Sequence, residues 1–186
     1  MLIKEYDASW PEGSIEISTV MDTALHGVAH RIEHVSSTSV PRLAAKPIID
    51  IDIVYMKPCD FLEIGRRLYK LGYMHNGNQG IPDRDAFKRI ESHQKHPILD
   101  KIRHHLYVCP AESAELKRHL LFRDHLRENE WARKEYCALK RDIAVRANHD
   151  HKVYASMKEV EARGFVIGII ELAESATEMK QNDRAK

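Results

Sequence analysis

The chain has 186 residues, of which 43% are hydrophobic, so it can bury the core of one domain and is not disordered throughout. Its 29 basic and 28 acidic residues balance, which argues against a dedicated nucleic-acid-binding protein, because such proteins carry a large basic excess. The three cysteines are far apart and no apolar run approaches the roughly 20 residues that span a bilayer. We therefore expect a cytoplasmic protein without disulfides or a membrane segment.

The first half of the chain alternates helices and strands. A helix starts at Trp10-Pro11, with proline in its first turn, and Gly27 is a suitable end. The strongest strand, over residues 47–55, is rich in β-branched residues. The other elements predicted for this half are a strand over 30–35, a short helix within 36–45, and a helix that begins at Asp60, paired with Glu63, and ends at Gly72.

The second half contains two more strands and then only helices. Residues 87–90 predict a weak strand, and residues 103–109 predict a clear one because apolar and polar side chains alternate. The helices that follow are one capped by Ser113 that ends at Leu126, one that begins at Asn129 or Glu130, and one capped by Asp150 that runs towards residue 178.

This order of elements predicts the α/β (α+β) class, with a small mixed sheet covered by helices and a helical C-terminal extension. We expect one domain over residues 1–178, of which 110–178 is the helical part, and a frayed tail over 179–186. The apolar stripe from Val153 to Ile170 is interpreted as core or as the interface of a homodimer.

Asp50 and Asp52 lie two residues apart on the strongest strand. Because side chains alternate across a strand, both carboxylates point to one face, while Ile49, Ile51 and Ile53 point to the core. Neighbouring carboxylates repel each other unless a cation neutralises them, and a bound Mg²⁺ or Mn²⁺ is the simplest such cation. The alternative is an edge strand with one solvated face, although aspartate is depleted from strands.

A run of hydroxyl side chains, Ser36-Ser37-Thr38-Ser39, precedes that strand. Hydroxyls and free backbone N–H groups at the start of a short helix suit a phosphate group. The alternative is a helix cap with surplus hydroxyls, and on its own this alternative would be preferred.

The serine turn and the Asp-x-Asp strand together are similar to the polymerase-β-like nucleotidyltransferases, whose signature is a small Gly-Ser turn, a spacer and Asp-x-Asp. More specific matches are 31–51 (RIEHVSSTSVPRLAAKPIIDI), Gly80-Ile81-Pro82, 104–110 (HHLYVCP) and 120–127 (LLFRDHLR). On these stretches the chain resembles the GrpB family (UPF0157 type), a branch of that superfamily. The resemblance implies a nucleotidyltransferase-like sheet.

The resemblance also implies roles for individual residues. Asp50 and Asp52 take the metal-ligand and catalytic positions, and Ser37, with Ser36 and Thr38, takes the phosphate-contacting position. The third carboxylate usual in the superfamily is missing from the strand over 103–109. His105 on that strand is either a third ligand or a base, or it is hydrogen-bonded to one of the aspartates.

Three residues depart from the family pattern. Ser36 and Arg42 stand where the family usually has glycine, which permits positive φ and close approach of the backbone to phosphate. Tyr107 stands where the family usually has histidine, which removes one metal ligand. These departures place phosphate affinity and activity in question.

Other residues are weaker candidates. Lys46, just before the strand, and Arg84, in the Gly-Ile-Pro loop, are candidate phosphate contacts, with a surface lysine as the alternative for the first. Arg123 reaches either the sheet face or its neighbour Asp124. His34 is expected to orient the serine turn. His119 and His125 lie six positions apart, so they do not share one face of a helix as a metal-binding pair would, and we interpret them as surface or packing residues.

Three functions follow as hypotheses. The first is a metal-dependent nucleotidyltransferase that transfers a nucleotidyl group from an NTP to an acceptor that the residues do not name. The second is a non-catalytic module of the same fold that binds a nucleotide or another phosphorylated small molecule. The third is an RNA- or protein-interaction domain that uses Lys140, Arg141 and Arg146 on its helical tail, against which the balanced charge argues.

Overall fold

A five-stranded mixed sheet in the order β1-β2-β5-β4-β3 lies at the centre of the molecule. The structure is a computed structural model and describes residues 2–91 and 93–184, with side chains to residue 179. Its elements in chain order are α1 Ser9–Ala24, β1 His30–Val35, a 3₁₀ turn Ser37–Ser39, β2 Ile49–Tyr55, α2 Pro58–Lys70, β3 Tyr73–His75, β4 Asp85–Arg89, β5 His104–Pro110, α3 Ala114–Glu128, α4 Glu130–Arg146, α5 His151–Glu161 and α6 Arg163–Arg184.

The sheet is mixed because β2 pairs antiparallel with β1 and parallel with β5, while β4 is antiparallel to both β5 and β3. The predicted class, a mixed sheet covered by helices, is confirmed. β2 is paired on both sides, so the interpretation of the Asp-x-Asp strand as an edge strand is wrong. The connection between the parallel strands β2 and β5 is long and contains α2, β3 and β4, because parallel neighbours cannot be joined by a tight turn.

One face of the sheet is apolar and forms the main core. Ile49, Ile51 and Ile53 of β2 are at most 3% exposed, as the alternation predicts. They pack with Ile17 and Met21 of α1 and with Ile64 and Leu68 of α2; the same cluster contains Leu106 and Val108 of β5. Burying this apolar surface is the dominant favourable contribution to folding.

The opposite face carries polar side chains and is covered by α3. Leu116 of α3 packs with Val54 and Cys109 in a small apolar cluster that seats the helix on the sheet. Ser113 caps this helix as predicted, since its hydroxyl accepts from the N–H of Leu116 at 3.3 Å. Elsewhere between α3 and the sheet, polar side chains of the helix contact polar side chains of the strands.

The start of α2 differs from the predicted one. α2 begins at Pro58 rather than Asp60, and Asp60 instead accepts from the N–H of Lys57 at 3.2 Å from the third helical position. Glu63 pairs with Arg67 at 2.7 Å, so the expected Asp60–Glu63 capping pair is wrong. Proline at the first helical turn, where no N–H is needed, explains the earlier start.

The serine turn is shorter than predicted. Only Ser37–Ser39 is helical, as one 3₁₀ turn, and no longer helix follows among residues 40–45. The turn ends at Val40, which is extended with φ −103° and ψ 114°. Arg42, two residues further on, has φ 64°, also outside the helical region. The segment then pairs by a single bridge, Lys4 with Ala45. The sequence also missed β3, whose three residues are too few to produce a pattern.

The helix predicted from Asp150 to residue 178 is two helices. Asp150 caps α5 as predicted, accepting from Lys152 and Val153 N–H groups at 2.8 and 2.9 Å. The chain turns at Ala162, which is buried with Leu43 and Tyr136. α6 then continues to Arg184, so the boundary predicted at 178 lies within a helix, and residues 185–186 of the predicted tail lie outside the described residues.

The helical part shares its core with the segment after the serine turn. Ala44 packs with Ile143 of α4, and Val40 and Leu43 pack with Tyr136 and with Ile169 of α6. Much of the stripe from 153 to 170 is therefore core, although Val153 and Val160 are exposed. None of the helices described is long and apolar enough to cross a membrane.

Candidate active site

The acidic pair lies on the polar face of the sheet at its second strand. Asp50 and Asp52 stand beside His105 and Tyr107 of β5 in the parallel register, and Asp52 also faces Glu33 of β1. The Asp50 side chain is 20% exposed, whereas that of Asp52 is 1% exposed. Asp52 contacts His119 of α3 and Asp50 contacts His105, whereas the isoleucines pack with α1 and α2, so both carboxylates point away from the isoleucine face as predicted.

Asp50 is paired with the exposed His105. Nδ1 of His105 lies 2.9 Å from Oδ1 of Asp50. Burial alone would raise the pKa of Asp50, but hydrogen bonds from His105 and Ser36 lower it overall. Of the alternatives for His105, the structure shows the hydrogen-bonded one, with the half-exposed ring on the open side of the pair.

Asp52 is paired with His119 of α3. Nδ1 of His119 lies 2.7 Å from Oδ2 of Asp52, and its Nε2 lies 3.3 Å from Glu115. Burial lowers the pKa of His119, but the two carboxylates raise it to about 9 overall, so the ring is an imidazolium at neutral pH. The interpretation of His119 as a surface or packing residue is wrong. His125, in contrast, packs edge-on against Trp131.

His119 was missed because it was compared with the wrong residue. Glu115 precedes it by four positions, so the two share one face of α3, and this pair was a usable signal. The contact with Asp52 joins residues far apart in the chain, and the sequence contains no pattern for it.

Each carboxylate of the pair therefore has its own histidine, which weakens the argument that like charges require a metal. One observation still favours a metal: Oδ1 of Asp52 is buried without a hydrogen-bond partner among the described residues. Among the side chains of residues 2–91 and 93–179, no three His, Cys, Asp or Glu are grouped as metal ligands. Mg²⁺ nevertheless fits two carboxylates when substrate phosphates complete its shell.

The serine turn begins next to Asp50, because Val35, the residue before Ser36, stands opposite Asp50 in the register of β1 and β2. Ser36 is exposed and has φ 67° and ψ −169°, a conformation that is essentially restricted to glycine. Thr38 points inward instead: its Oγ1 lies 3.0 Å from His34 and donates to the carbonyl of Ile48. Thr38 therefore holds the turn and does not offer its hydroxyl to a phosphate, and His34 orients the turn as expected.

Ser37 faces a buried lysine of the helical part. Nζ of Lys140 donates to Oγ of Ser37 at 3.0 Å and to the carbonyl of Ala44 at 2.5 Å. Lys140 is only 2% exposed, and burial lowers its pKa to about 7. Its assignment to a surface for RNA is therefore wrong.

Lys46 and Arg84, the two candidate phosphate contacts, pack against different elements. Nζ of Lys46 is 4.3 Å from the ring centre of Tyr154 on α5, and it donates to the carbonyl of His151 at 3.4 Å. The guanidinium of Arg84 stacks on Tyr107 at 3.4 Å, and its Nε is buried without a partner in the described part of the chain. Arg84 thus covers Tyr107, the β5 neighbour of Asp52, whereas Lys46 faces α5.

A polar row on α3 links the pair to the turn. His119, Arg123 and Arg127 follow at four-residue spacing and so share one face. Arg123 bonds to Glu33 at 2.8 Å and also to its neighbour Asp124, and Arg127 donates to the carbonyl of Ser39 at 2.9 Å. Both predicted alternatives for Arg123 are therefore realised.

Comparison with known proteins agrees with this geometry. The family model described as GrpB protein matches residues 1–165. The chain belongs to the GrpB family. UPF0157 protein BH1888 of Halalkalibacterium halodurans is 35% identical over 154 residues, which are 83% of this chain and 74% of that protein. UPF0157 protein YqkA of Bacillus subtilis is 31% identical over 75% of this chain, but the match spans only 38% of YqkA.

Solved structures confirm the fold of this GrpB-family chain. The crystal structure of GrpB from Enterococcus faecalis has a TM-score of 0.74 and 28% identity, and it covers 94% of this chain and 98% of that one. The Cid1 poly(U) polymerase, in a structure bound to MgATP, has a TM-score of 0.55 and 11% identity over 80% of this chain and 46% of its own. The nucleotidyltransferase-like fold predicted from the resemblance is therefore confirmed.

Proposed function

We propose that this GrpB-family protein is a metal-dependent nucleotidyltransferase that acts on an NTP and a hydroxyl acceptor. The observation that carries the proposal is the unpartnered, buried Oδ1 of Asp52. Asp52 shares a strand face with Asp50, and Asp50 stands opposite Val35, the residue that precedes the serine turn. A buried carboxylate oxygen without a partner is costly unless a cation binds it, and nothing else in the described residues does so.

The residues have separate tasks in this proposal. Asp50 and Asp52 would hold Mg²⁺ or Mn²⁺ together with the phosphates, and the ion when bound supplies charge stabilisation at the α-phosphoryl group. Ser37 and the backbone of its turn would hold the terminal phosphates. The ring of His105, fixed through Nδ1 by Asp50, stands open to solvent and could accept the proton of the acceptor hydroxyl.

The test compares NTP binding and turnover in wild type, Asp50→Asn and Asp52→Asn. Calorimetric titration of NTPs with Mg²⁺ measures binding, and release of pyrophosphate measures transfer. We expect both to be lost in the two variants and kept in Asp142→Asn, whose carboxylate lies on the exposed side of α4 beside Arg146. Equal binding in all four proteins, or none in wild type, would contradict the proposal.

A second function, a nucleotide-binding module without turnover, is favoured by the contact of His119 with Asp52, which limits access to this carboxylate. His119 occupies one oxygen of Asp52, and β5 offers His105 and Tyr107 where a third carboxylate would stand. In this case the NTP binds with an affinity that depends on Asp50, but no pyrophosphate appears. Sustained release of pyrophosphate that depends on Asp52 would exclude the module.

A further inference from the structure

We infer that Arg84 and Tyr107 form a subsite for the acceptor, and that this acceptor is a small hydroxylated anion whose carboxylate or phosphate monoester binds the guanidinium. The inference rests on the proposed function and deepens it, because it names the class of molecule that receives the nucleotidyl group. The juxtaposition that carries it is an arginine without an acidic partner, packed on the strand that borders the acidic pair.

Arg84 is held against an aromatic ring but is not neutralised. Its guanidinium carbon lies 3.4 Å from the ring centre of Tyr107, and its Nε is buried without a hydrogen-bond partner among the described residues. No carboxylate of the described side chains lies within 4.0 Å of it, and the adjacent Asp85 pairs with His75 instead, at 2.6 Å. A buried donor without an acceptor is costly, and the N–H groups of a guanidinium match the two oxygens of an oxyanion. An oxyanion bound here would supply the missing acceptor and charge.

The sheet brings this guanidinium to the face of the acidic pair. Leu106 and Val108 of β5 belong to the main core, so Tyr107 between them points to the polar face. Tyr107 stands opposite Asp52 in the parallel register, where neighbouring strands are about 5 Å apart. The ring centres of Tyr107 and His105 are 6.2 Å apart. Both the buried carboxylate and the proposed base are therefore neighbours of the ring that carries the guanidinium.

The order of the strands separates this subsite from the serine turn. The turn follows β1, whereas Arg84 directly precedes β4, and β2 and β5 lie between these two strands. In phosphoryl transfer the attacking and leaving oxygens are roughly in line, on opposite sides of the phosphorus. With the terminal phosphates at the serine turn, an anion on Arg84 suits the attacking molecule rather than the leaving pyrophosphate.

The spacing favours a short acceptor. An oxyanion at Arg84 and a hydroxyl group at His105 would both lie beside the ring of Tyr107, so a few covalent bonds span from one to the other. The hydroxyl oxygen would form a bond to the α-phosphorus of the NTP while the bond from that phosphorus to pyrophosphate breaks, and the hydroxyl proton would pass to His105. A neutral acceptor would lack the contact that positions its hydroxyl.

The experiment uses three probes of the same carbon skeleton: glycerate, glycerol 3-phosphate and neutral glycerol. They are titrated into the full chain at fixed ionic strength, without metal or nucleotide. Nitrogen-15 NMR follows the Nε–H signal of Arg84, which is identified by its absence from the spectra of Arg84→Gln and Arg84→Lys. Tyr107→Leu removes the aromatic face, and the matched control is Arg66→Gln, whose side chain is 76% exposed on α2.

We expect an anionic probe to bind and to shift the Nε–H signal, whereas glycerol does not. Kd should rise about 10- to 100-fold in Arg84→Gln and about 3- to 10-fold in Tyr107→Leu, with no change in Arg66→Gln. Tighter binding of glycerate would support a carboxylate acceptor, and tighter binding of glycerol 3-phosphate would support a phosphorylated one.

Several results would overturn the inference: no binding of either anion, equal binding of glycerol, or an Nε–H signal that does not move. Unchanged probe binding in Tyr107→Leu overturns it even if Arg84→Gln does not fold. An equal loss of NTP binding in Arg84→Gln would assign the arginine to the NTP phosphates and overturn it too. Because the probe titrations contain neither NTP nor metal, their result stands whether or not pyrophosphate release demonstrates nucleotidyl transfer.

Discussion

Substitution of Lys140 by methionine tests how strongly the buried ammonium group opposes folding. Methionine has a similar length and no charge, so it keeps the packing against Tyr136 and removes the titration. In the folded protein the pKa of Lys140 is lowered by burial to about 7, from an ordinary value of 10.5. In the unfolded chain the ordinary value applies.

The magnitude follows from linkage. Between these two pKa values the unfolded state binds one proton more than the folded state, so the stability of the wild type rises with pH. The slope approaches about 1.4 kcal/mol per pH unit, which amounts to about 2 kcal/mol between pH 7 and pH 9. Below pH 7 Lys140 is charged in both states, so the folded state bears the full cost of burying the ammonium group, about 5 kcal/mol. The contribution of Lys140 to the free energy of unfolding then no longer changes with pH. The Met variant lacks this dependence, although it loses the hydrogen bonds to Ser37 and Ala44, each worth about 1 kcal/mol.

The assay is urea denaturation followed by circular dichroism at pH 6, 7, 8 and 9, at constant ionic strength, for the wild type and Lys140→Met. Only the difference in free energy of unfolding between the two proteins is interpreted, because other groups titrate equally in both. Lys134→Met is the control, and its difference from the wild type should stay constant because the ammonium of Lys134 is exposed. A difference for Lys140→Met that also stays constant across this range would refute the burial argument.

Three further substitutions have defined effects. Ser36→Gly should raise the free energy of unfolding by about 1 kcal/mol in urea denaturation, because its φ of 67° with ψ of −169° suits only glycine, whereas Ser36→Ala should not. Asp150→Ala should lower it by about 1 kcal/mol and reduce the thermal midpoint, because two N–H groups at the start of α5 lose their acceptor. His119→Ala should lower it by about 3 kcal/mol in urea denaturation, because Asp52 becomes a buried, unpaired carboxylate.

Each of these predictions has an outcome that contradicts it. A loss of stability in Ser36→Gly would show that the contacts of the serine side chain outweigh the backbone strain. An unchanged midpoint for Asp150→Ala would show that α5 does not depend on its cap. For His119, the double variant with Asp52→Asn should recover most of the loss, and a fully additive result would show that the two side chains do not interact.

Local rules predicted much of this molecule. The alternation of isoleucine and aspartate over residues 49–53 was sufficient to separate the core face from the polar face, and this separation places the acidic pair. Ser113 and Asp150 were identified as helix caps because a cap depends only on residues within one turn. The family resemblance added the fold, which the solved GrpB structure confirms.

Long-range contacts limited the rest. Lys140 lies in a run of basic residues typical of a helix surface, and only the packing of α4 against the segment after the serine turn buries it. The partner of Asp52 is a histidine on α3, which no spacing in the sequence connects to β2. The break at Ala162 likewise depends on what the helix meets in space, not on its own propensity.

The polar row on α3 connects the acidic pair and the serine turn through one helix. His119, in the second turn of α3, contacts Asp52, and Arg127, in its last turn, contacts the carbonyl of Ser39 in the serine turn. A helix of 15 residues moves as a rod, so tilting either end displaces the other. Loss of the contact between Arg127 and Ser39 should therefore also disturb the contact between His119 and Asp52. Binding of a ligand at the serine turn would then affect the acidic pair through α3, without a change in the sheet.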